Sequence, residues 1–428
     1  MPSWIVAHSE TLCNFWLALQ VGFSAAQQQH ALNVIEALLV CPAKHKTLAA
    51  LTRLLRLPHA DEFALADFFR ASPWQAGQVR TAVMRFLLGF VGQVQRVTRH
   101  RLLFLSVDDS LCRKHARTRA LEAVGWHHDH NKARRQLGHC TNASCYASLH
   151  LQLGPLQLPL NWRLYLKRSQ VATLNRQRRG SDRPRLVYQG LADLVMAMLD
   201  EVAPHLPAGC RVYVLFDAWY DNHHLQRFIR AHGWHWICAS RSNRRVGDFQ
   251  LGQWWSHLSQ QRCERIPLRL ASRSHVYLTR HTVGRLRRYP GDVVALISKR
   301  ARRDTQPAYF LCSDTALSLR CMVKYYSYRW QAEVDNWFLK ERLGLADFRL
   351  RPVEAIANWH ALVMATYAFM AYRRALPLLE RPTTALAPLA EVLAAQRQTH
   401  ARQTVVEIAR LVRAGYSDAQ LLAELFPT

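Results

Sequence analysis

Acidic residues are scarce in this sequence, and the usual marks of secreted, zinc-binding or membrane proteins are missing. The 428 residues include 30 Asp and Glu against 57 Lys and Arg, a formal net charge of +27. The ten cysteines form no Cys-x-x-Cys pair, so we expect reduced thiols in a cytosol. No basic segment precedes a long apolar run near residue 1, which argues against a signal peptide. The longest apolar stretch, residues 361–372, spans about a dozen residues, whereas a membrane helix needs about 20.

The positive charge therefore predicts a polyanionic partner. Hydrophobic residues make up 50% of the chain and aromatic residues 10%, which favours a folded protein with a sizeable core over a disordered one. With a membrane disfavoured, nucleic acid is the expected partner. Four arginine-rich runs are candidate surfaces for its backbone, at residues 176–185, 241–245, 285–288 and 299–303.

Apolar periodicity divides the chain into five predicted parts. Residues 1–98 have helical spacing, and residues 99–240 have three strands, a hairpin turn among them, followed by alternating helices and strands. Residues 241–320 favour short strands with turns, and the helical pattern returns over residues 321–375 and 376–428. This order predicts an α/β protein with a mixed sheet.

Two of the predicted strands stop at acidic residues. The strand at 102–107 stops on Asp108 and Asp109, and the strand at 211–216 stops on Asp217. An acid after a strand is commonly a turn former or a helix cap. In open α/β sheets, however, the functional crevice lies beyond the carboxyl ends of the strands, so acids at two such ends are also candidates for catalysis.

A third acid lies on a predicted helix together with other functional side chains. Tyr326, Arg329, Glu333 and Lys340 follow one another at spacings of three, four and seven, on a stretch without Pro or Gly. At 3.6 residues per turn all four form one stripe, with Trp337 about 40° to its side. A solvated helix would simply pair Glu333 with Arg329. Three carboxylates from two strands and one helix could instead hold two divalent ions for attack on a phosphodiester.

The pattern Tyr-x2-Arg-x3-Glu-x6-Lys resembles the signature of DDE insertion-sequence transposases, in the branch with a β-rich insertion before the third acid. The order of the elements is also similar, from a helical region through strands that end in Asp-x-Ser and in Phe-Asp-Ala-Trp-Tyr-Asp-Asn. The resemblance covers residues 99–375. It implies a ribonuclease H-like mixed sheet, interrupted by the β-rich insertion at 241–320 and flanked by helical N- and C-terminal regions.

The resemblance also implies the roles of the site residues. Asp108, Asp217 and Glu333 would be the metal ligands for two Mg²⁺ ions per active site, with Mn²⁺ as a substitute. The Asp-x-Ser pattern selects Asp108 as the first ligand, and Asp109 is the alternative, since neighbouring strand residues face opposite ways. The residues expected to contact DNA are Tyr326, Arg329, Lys340 and, beside the stripe, Trp337.

The expected function is therefore DNA transposition in a bacterial cytoplasm, in association with the nucleoid. Residues 1–98 and the basic surfaces would bind the terminal inverted repeats, and the active site would cleave the ends and join their 3′ ends to target DNA. A homodimer is expected once the protein is assembled on DNA. The alternatives are a nuclease of the same core that cuts without strand transfer, and a non-catalytic DNA-binding derivative.

Overall fold

Helices occupy the N-terminal part of the protein, as the apolar periodicity predicts. The computed structural model describes residues 4–57, 61–129, 140–270, 273–299 and 307–425. Ser24, Thr47 and Asp61 each accept a hydrogen bond from a backbone N–H in the first turn of the helix that follows. The helices are α1 (Glu10–Leu19), α2 (Ala25–Val40), α3 (Leu48–Thr52), α4 (Glu62–Arg70) and α5 (Ala76–Thr98).

A large mixed sheet follows these helices. Its strands are β1 (Leu102–Arg113), β2 (Gly125–His128), β3 (Cys140–Leu153), β4 (Leu156–Tyr165), β5 (Arg211–Phe216), β6 (His235–Ser240), β9 (Glu264–Leu270), β10 (Arg273–Arg285), β11 (Asp292–Lys299) and β12 (Ala308–Cys312). The spatial order is β2-β3-β1-β5-β6-β12-β11-β10-β9, and β4 lies beside β3. Strands β1, β5 and β6 are parallel, and the other pairs are antiparallel. A separate ribbon joins β7 (Arg245–Val246) and β8 (Phe249–Gln250).

The strands of the predicted insertion continue this sheet. Strand β12 pairs antiparallel with β6, with Tyr309 opposite Ser240 and Cys312 opposite Ile237. Strands β11, β10 and β9 then follow outward, each antiparallel to its neighbour. The hydrogen bonds of these strands extend the central sheet, and the assignment of residues 241–320 as an insertion stays a prediction.

Strand β1 is longer than the sequence predicts. We expected it to stop at Asp108, but it runs to Arg113, so that interpretation was wrong. The reason is its antiparallel partner, because β3 pairs with β1 as far as Arg113 opposite Ala143. On the other side, β5 pairs with β1 only from Leu102 to Ser106. Asp108 and Asp109 therefore lie inside a strand, just past the point where the parallel neighbour ends.

The remaining helices pack against the sheet or against the N-terminal helices. They are α6 (Arg168–Gln177), α7 (Leu191–Val202), α8 (His223–Ala231), α9 (Leu251–His257), α10 (Leu319–Ser327), α11 (Trp330–Arg342), α12 (Val353–Ala375), α13 (Pro377–Glu380), α14 (Leu389–Arg413) and α15 (Asp418–Leu425). Helix α12 is buried along nearly its whole length and packs against α2, α5, α14 and β4. One hydrophobic core thus includes residues of the N-terminal helices and of the sheet. The division into five parts stays a prediction.

The predicted signature helix consists of two helices. Helix α10 ends at Ser327 and α11 begins at Trp330. Between them, Tyr328 and Arg329 keep right-handed helical dihedral angles, but the hydrogen bonds there span three residues, as from Arg329 N–H to the Tyr326 carbonyl, 3.1 Å. This tighter turn changes the phase of the stripe that a uniform 3.6-residue period assumes.

Candidate active site

The candidate acids meet at one edge of the parallel strands. In the register of β1 and β5, Ser106 lies opposite Leu215, and Asp108 and Asp217 each follow two residues later. This is the carboxyl end of both strands, where the crevice of an open α/β sheet lies. Asp217 begins the turn after β5, and its Oδ1 accepts the backbone N–H of Trp219 at 2.9 Å.

Asp108 and Asp109 face opposite sides of the sheet, as neighbouring strand residues must. Asp108 faces α11, and its Oδ2 accepts the side-chain amide of Asn336 at 2.8 Å. Asp109 points the other way, where its Oδ1 accepts the hydroxyl of the buried Tyr220 at 3.1 Å. Since Glu333 is also on α11, Asp108 is the member of the pair that shares a side with the third acid.

A single guanidinium joins Asp108 to Glu333. Arg329 Nη1 lies 3.4 Å from Asp108 Oδ1, and Nη2 donates to Glu333 Oε1 in a short contact. The Arg329 Nε is buried and has no hydrogen-bond partner among the described residues. The sequence stripe thus predicted the Arg329–Glu333 neighbourhood, and the structure adds Asp108 on the far side of the same cation.

The acids carry more negative charge than their surroundings compensate. Burial raises the pKa of Asp108 to about 7; the charge of Arg329 opposes this shift, and the charges of Asp109, Glu333 and Asp217 add to it. Burial likewise raises the pKa of Asp109 to about 6, with the charge of Asp217 as the next cause. Buried carboxylates whose pKa is raised by neighbouring acids form a site that favours an added cation.

Asn336 was missed by the sequence analysis. Its amide donates to Asp108, and its side-chain oxygen accepts the hydroxyl of the fully buried Tyr146 at 3.0 Å. Asn336 lies three residues after Glu333, which is the helical spacing for a neighbour on the same side. That spacing was a usable signal, although a polar residue on a helix has many ordinary explanations.

The four predicted DNA-contacting residues differ in their surroundings. Lys340 donates to Ser110 Oγ at 2.8 Å, and Ser110 follows the two strand acids by one and two residues. Tyr326 is half-buried with its ring 4.8 Å from that of Phe310. Trp337, by contrast, is 51% exposed. Arg329 is engaged by the two acids on either side of it.

A cleft of about 970 Å³ opens at these acids. Asp108, Asp109 and Asp217 line it, together with Trp219 and Lys340, and we call it the acid cleft. Glu333 is not among its lining residues and reaches Asp108 through Arg329. The structure therefore brings Lys340 and the three acids of β1 and β5 together in the cleft, and it places Glu333 beside the cleft.

Comparison with known families identifies the type of protein. The family model of the DDE superfamily endonucleases matches residues 18–287, well over half of the chain. The chain belongs to this family. The match includes Asp108, Asp109 and Asp217 and ends before Glu333, so the signature stripe lies beyond it. None of the curated proteins matches the chain.

Membership of the DDE superfamily endonucleases makes nuclease chemistry on DNA the activity class of this protein. Such a nuclease uses divalent metal ions, for which carboxylate oxygens are suitable ligands. Over the described ranges, no three Asp, Glu, His or Cys side chains are arranged as a complete set of metal ligands. The donor chemistry nevertheless fits, because Asp108 and Asp109 have raised pKa values and a protein cation, Arg329, already lies between Asp108 and Glu333.

Among the residues that the structure describes, no helix of this DDE endonuclease has both the length and the hydropathy for a bilayer span.

The arginine-rich runs lie in several elements, and residues 300–303 of the last run fall outside the described residues.

Proposed function

We propose that this DDE endonuclease is the DNA transposase of a bacterial insertion sequence. The observation that supports the proposal best is that Asp108 and Asp217, from two parallel strands, line one cleft, while Glu333 on α11 is linked to Asp108 through Arg329. The Tyr-Arg-Glu-Lys signature is the second support, since all four of its side chains are on α11 or in the turn and helix before it. On this proposal, β1, β3, β4, β5 and β6 are the ribonuclease H-like core.

The proposed metal ligands are Asp108, Asp217 and Glu333, with Asp109 as the alternative to Asp108. Asp108 is the better candidate because it shares a side of the sheet with α11, whereas Asp109 is hydrogen-bonded to Tyr220 on the other side. When two Mg²⁺ or Mn²⁺ ions are bound, they supply activation of the attacking hydroxyl and stabilisation of charge on the phosphate.

The residues of the chain then hold and orient the DNA. Lys340 lies in the acid cleft, where its ammonium can neutralise a phosphate oxygen. Arg329, whose Nε has no hydrogen-bond partner among the described residues, would exchange a carboxylate for a phosphate oxygen of the DNA. The exposed ring of Trp337 is available to stack on an unpaired base at the cleaved end. The ring of the half-buried Tyr326 packs near Arg329, with 5.9 Å between its centroid and the guanidinium carbon.

The proposal has three further parts. The protein binds the terminal inverted repeats, assembles as a homodimer on DNA and joins the 3′ ends to target DNA. Phosphoryl transfer of this kind depends mainly on positioning and charge stabilisation, so no covalent intermediate with the protein is required. The same site would serve cleavage and joining, because both reactions attack a phosphodiester with a hydroxyl.

Cleavage of an end-containing duplex tests the catalytic part of the proposal. The wild-type protein should cut in Mg²⁺ or Mn²⁺ and not in EDTA. Asp217→Ala and Glu333→Ala should abolish cleavage and keep binding in EDTA, whereas Glu391→Gln, an exposed acid on α14, should cut normally. Cleavage by Glu333→Ala at the wild-type rate would remove Glu333 from the site. Cutting without any joined product would favour the nuclease alternative.

A further inference from the structure

The acid cleft has a second end, formed by three cations from distant parts of the sequence. Lys46 follows α2, Arg342 is the last residue of α11, and Arg397 is on α14. All three line the same cleft as Asp108 and Asp217. We call Lys46, Arg342 and Arg397 the basic end of the cleft. None of the three belongs to the Tyr-Arg-Glu-Lys signature.

Two of these cations are held by the carboxyl end of helix α2. Lys46 Nζ donates to the Cys41 carbonyl at 2.8 Å, and Arg397 Nη2 donates to the same carbonyl at 3.2 Å. The carboxyl end of a helix favours nearby cations, which explains why a cation would bind the Cys41 carbonyl. It does not explain why Arg342 lies in the same end of the cleft, because Arg342 belongs to a different helix and has its guanidinium 5.7 Å from the ring of Trp337.

Among the described residues, the charges of the basic end are only partly balanced, with Asp347 as the acid that acts on Lys46. Within the described part of the chain, none of the three cations has a carboxylate oxygen at ion-pair distance. Asp347, an acid in the lining, accepts the backbone N–H of Lys46 at 2.8 Å and contacts His45 at 3.2 Å. Burial lowers the pKa of Lys46; the charges of Arg397 and Arg342 lower it further, whereas Cys41 and Asp347 raise it. Burial also lowers the pKa of Arg397, and Arg342 contributes to that shift.

The side chain of Lys46 is almost fully buried, with 4% of its surface exposed. A buried ammonium without a counter-ion is costly, and two further cations beside it increase that cost. An oxyanion bound among the three would remove the repulsion. Two guanidinium groups and one ammonium have the donor geometry that phosphate groups require.

We infer that the basic end of the cleft binds a backbone phosphate of the DNA strand whose scissile phosphate lies at the acids. The inference rests on the proposed function, because it takes DNA as the substrate in the acid cleft. Arg342 lies nine residues after Glu333 on α11, about 13 Å farther along the helix. A site at that distance holds a phosphate other than the scissile one.

The salt dependence of DNA binding tests this inference. The affinity of the full-length protein for an end-containing duplex is measured in EDTA, at several salt concentrations, for wild type and for Arg342→Gln/Arg397→Gln. The matched control is Arg402→Gln/Arg413→Gln, which removes two exposed arginines of α14 outside the cleft. We expect the cleft variant to bind about tenfold more weakly and to lose about 0.9 from the slope of log K against log salt, the value for one phosphate. The control should lose less on both measures.

Arg397 also caps α2, so its replacement could unfold the protein. The single variant Arg342→Gln avoids this, because Arg342 is exposed. It should lose affinity in the same direction while its melting temperature stays that of wild type. Equal slopes for the cleft variant and the control, or unchanged affinity in Arg342→Gln, would overturn the inference.

Two further measurements separate the possible sources of failure. Inorganic phosphate should raise the melting temperature of wild type more than that of Arg342→Gln. If phosphate does so while the DNA slope is the same in both proteins, the site binds free anions and the inference about DNA is wrong. If wild type fails to cut any duplex in Mg²⁺ or Mn²⁺, the proposed function fails. If wild type cuts and the slopes do not differ, only the basic end loses its role.

Discussion

Two groups of buried carboxylates in this protein are in opposite electrostatic states. Glu36 is fully buried between the N-terminal helices and α14, where it contacts His8 and His400 and accepts hydrogen bonds from Ser9 N–H and Gln396. Burial raises its pKa, but the hydrogen bonds from His400 and His8 outweigh burial and lower the pKa to about 2. Asp108 has a side chain only 14% exposed and a pKa of about 7.

The difference teaches that burial alone does not determine the state of a carboxylate. Glu36 has donors for its oxygens within the fold, so its charge is neutralised internally and the cluster stabilises the packing of distant helices. Asp108 shares its surroundings with three other acids and one guanidinium. Its charge is therefore available to a cation from solution, which is what a catalytic metal site requires.

Activity should show the largest effect at the acids of the cleft. Asp108→Asn should lower metal-dependent cleavage by at least about 10³-fold, because it removes a proposed metal ligand worth several kcal/mol. Asp109→Asn should only impair the reaction, because Asp109 faces Tyr220. Single-turnover cleavage rates at saturating Mg²⁺ give the ranking. The reverse ranking would transfer the ligand role to Asp109.

Stability should show the largest effect at Glu36. Glu36→Ala removes one partner of a buried, hydrogen-bonded group and should cost about 3–5 kcal/mol in the free energy of unfolding. Urea unfolding measures the loss. Glu391→Gln, an exposed acid on the same α14 that supplies His400, serves as the control and should change stability by less than about 0.5 kcal/mol. A comparably small effect at Glu36 would contradict the contrast between the two groups.

The two groups should also give stability opposite dependences on pH. Because the folded state raises the pKa of Asp108 from 3.8 to about 7, metal-free protein should lose stability as pH rises from about 4 to 7. A pKa difference of one between the folded and unfolded states is worth about 1.4 kcal/mol. Glu36 acts in the other direction, because its stabilisation is present above about pH 4.5 and is lost as pH falls to about 2.

Urea unfolding in EDTA at pH 5 and pH 8 measures the first effect. Asp108→Asn cannot ionise, so its decline between the two pH values should be smaller than that of wild type. Mg²⁺ should reduce the decline in wild type by binding the ionised acids. If the free energy of unfolding declined equally in wild type and in Asp108→Asn, the uncompensated charge would not be on Asp108.

The smallest expected effect concerns the orientation of Asp108. Asn336→Leu removes the amide that binds Asp108 Oδ2 and should slow cleavage by about 10–100-fold, with a higher Mg²⁺ concentration for half-maximal rate. Tyr146→Phe should be milder, since the amide remains. Gln331→Leu is the matched control, because that amide binds Asp335 elsewhere on α11 at 2.7 Å. An unchanged Mg²⁺ requirement in Asn336→Leu would reduce Asn336 to a packing residue.

Much of the fold could be predicted where a local signal agreed with the packing. The hairpin between β3 and β4 turns at Gly154 with φ +56°, as the Gly-Pro pair indicated, and a Cβ there would meet the His100 ring at 2.3 Å. Strand β5 ends at Phe216 as expected. The end of β1 could not be predicted, because polar residues after Val107 stay in the strand through pairing with β3, which is a tertiary contact.

The site shows the same limit. Residue spacing predicted that Arg329 and Glu333 would be neighbours, and the alternation of strand residues predicted that Asp108 and Asp109 would diverge. Neither signal could show that Arg329 also contacts Asp108, 221 positions away. The break between α10 and α11 was equally hidden, because Tyr328 and Arg329 keep helical angles and only the hydrogen-bond pattern changes.

The contact between Glu36 and His400 also concerns the synthesis of the protein on the ribosome. The two residues are 364 positions apart, and at about 5–20 residues per second the second emerges roughly 20–70 s after the first. The interval is longer for Trp4 and Thr404. The Thr404 hydroxyl accepts the Trp4 backbone N–H and donates to the Trp4 carbonyl, each at 3.1 Å. During that interval Glu36 has its early partners His8 and Ser9 but lacks Gln396 and His400, which have not yet been translated. The hydrogen-bonded cluster around Glu36 is therefore completed only after residues 396–400 have been translated.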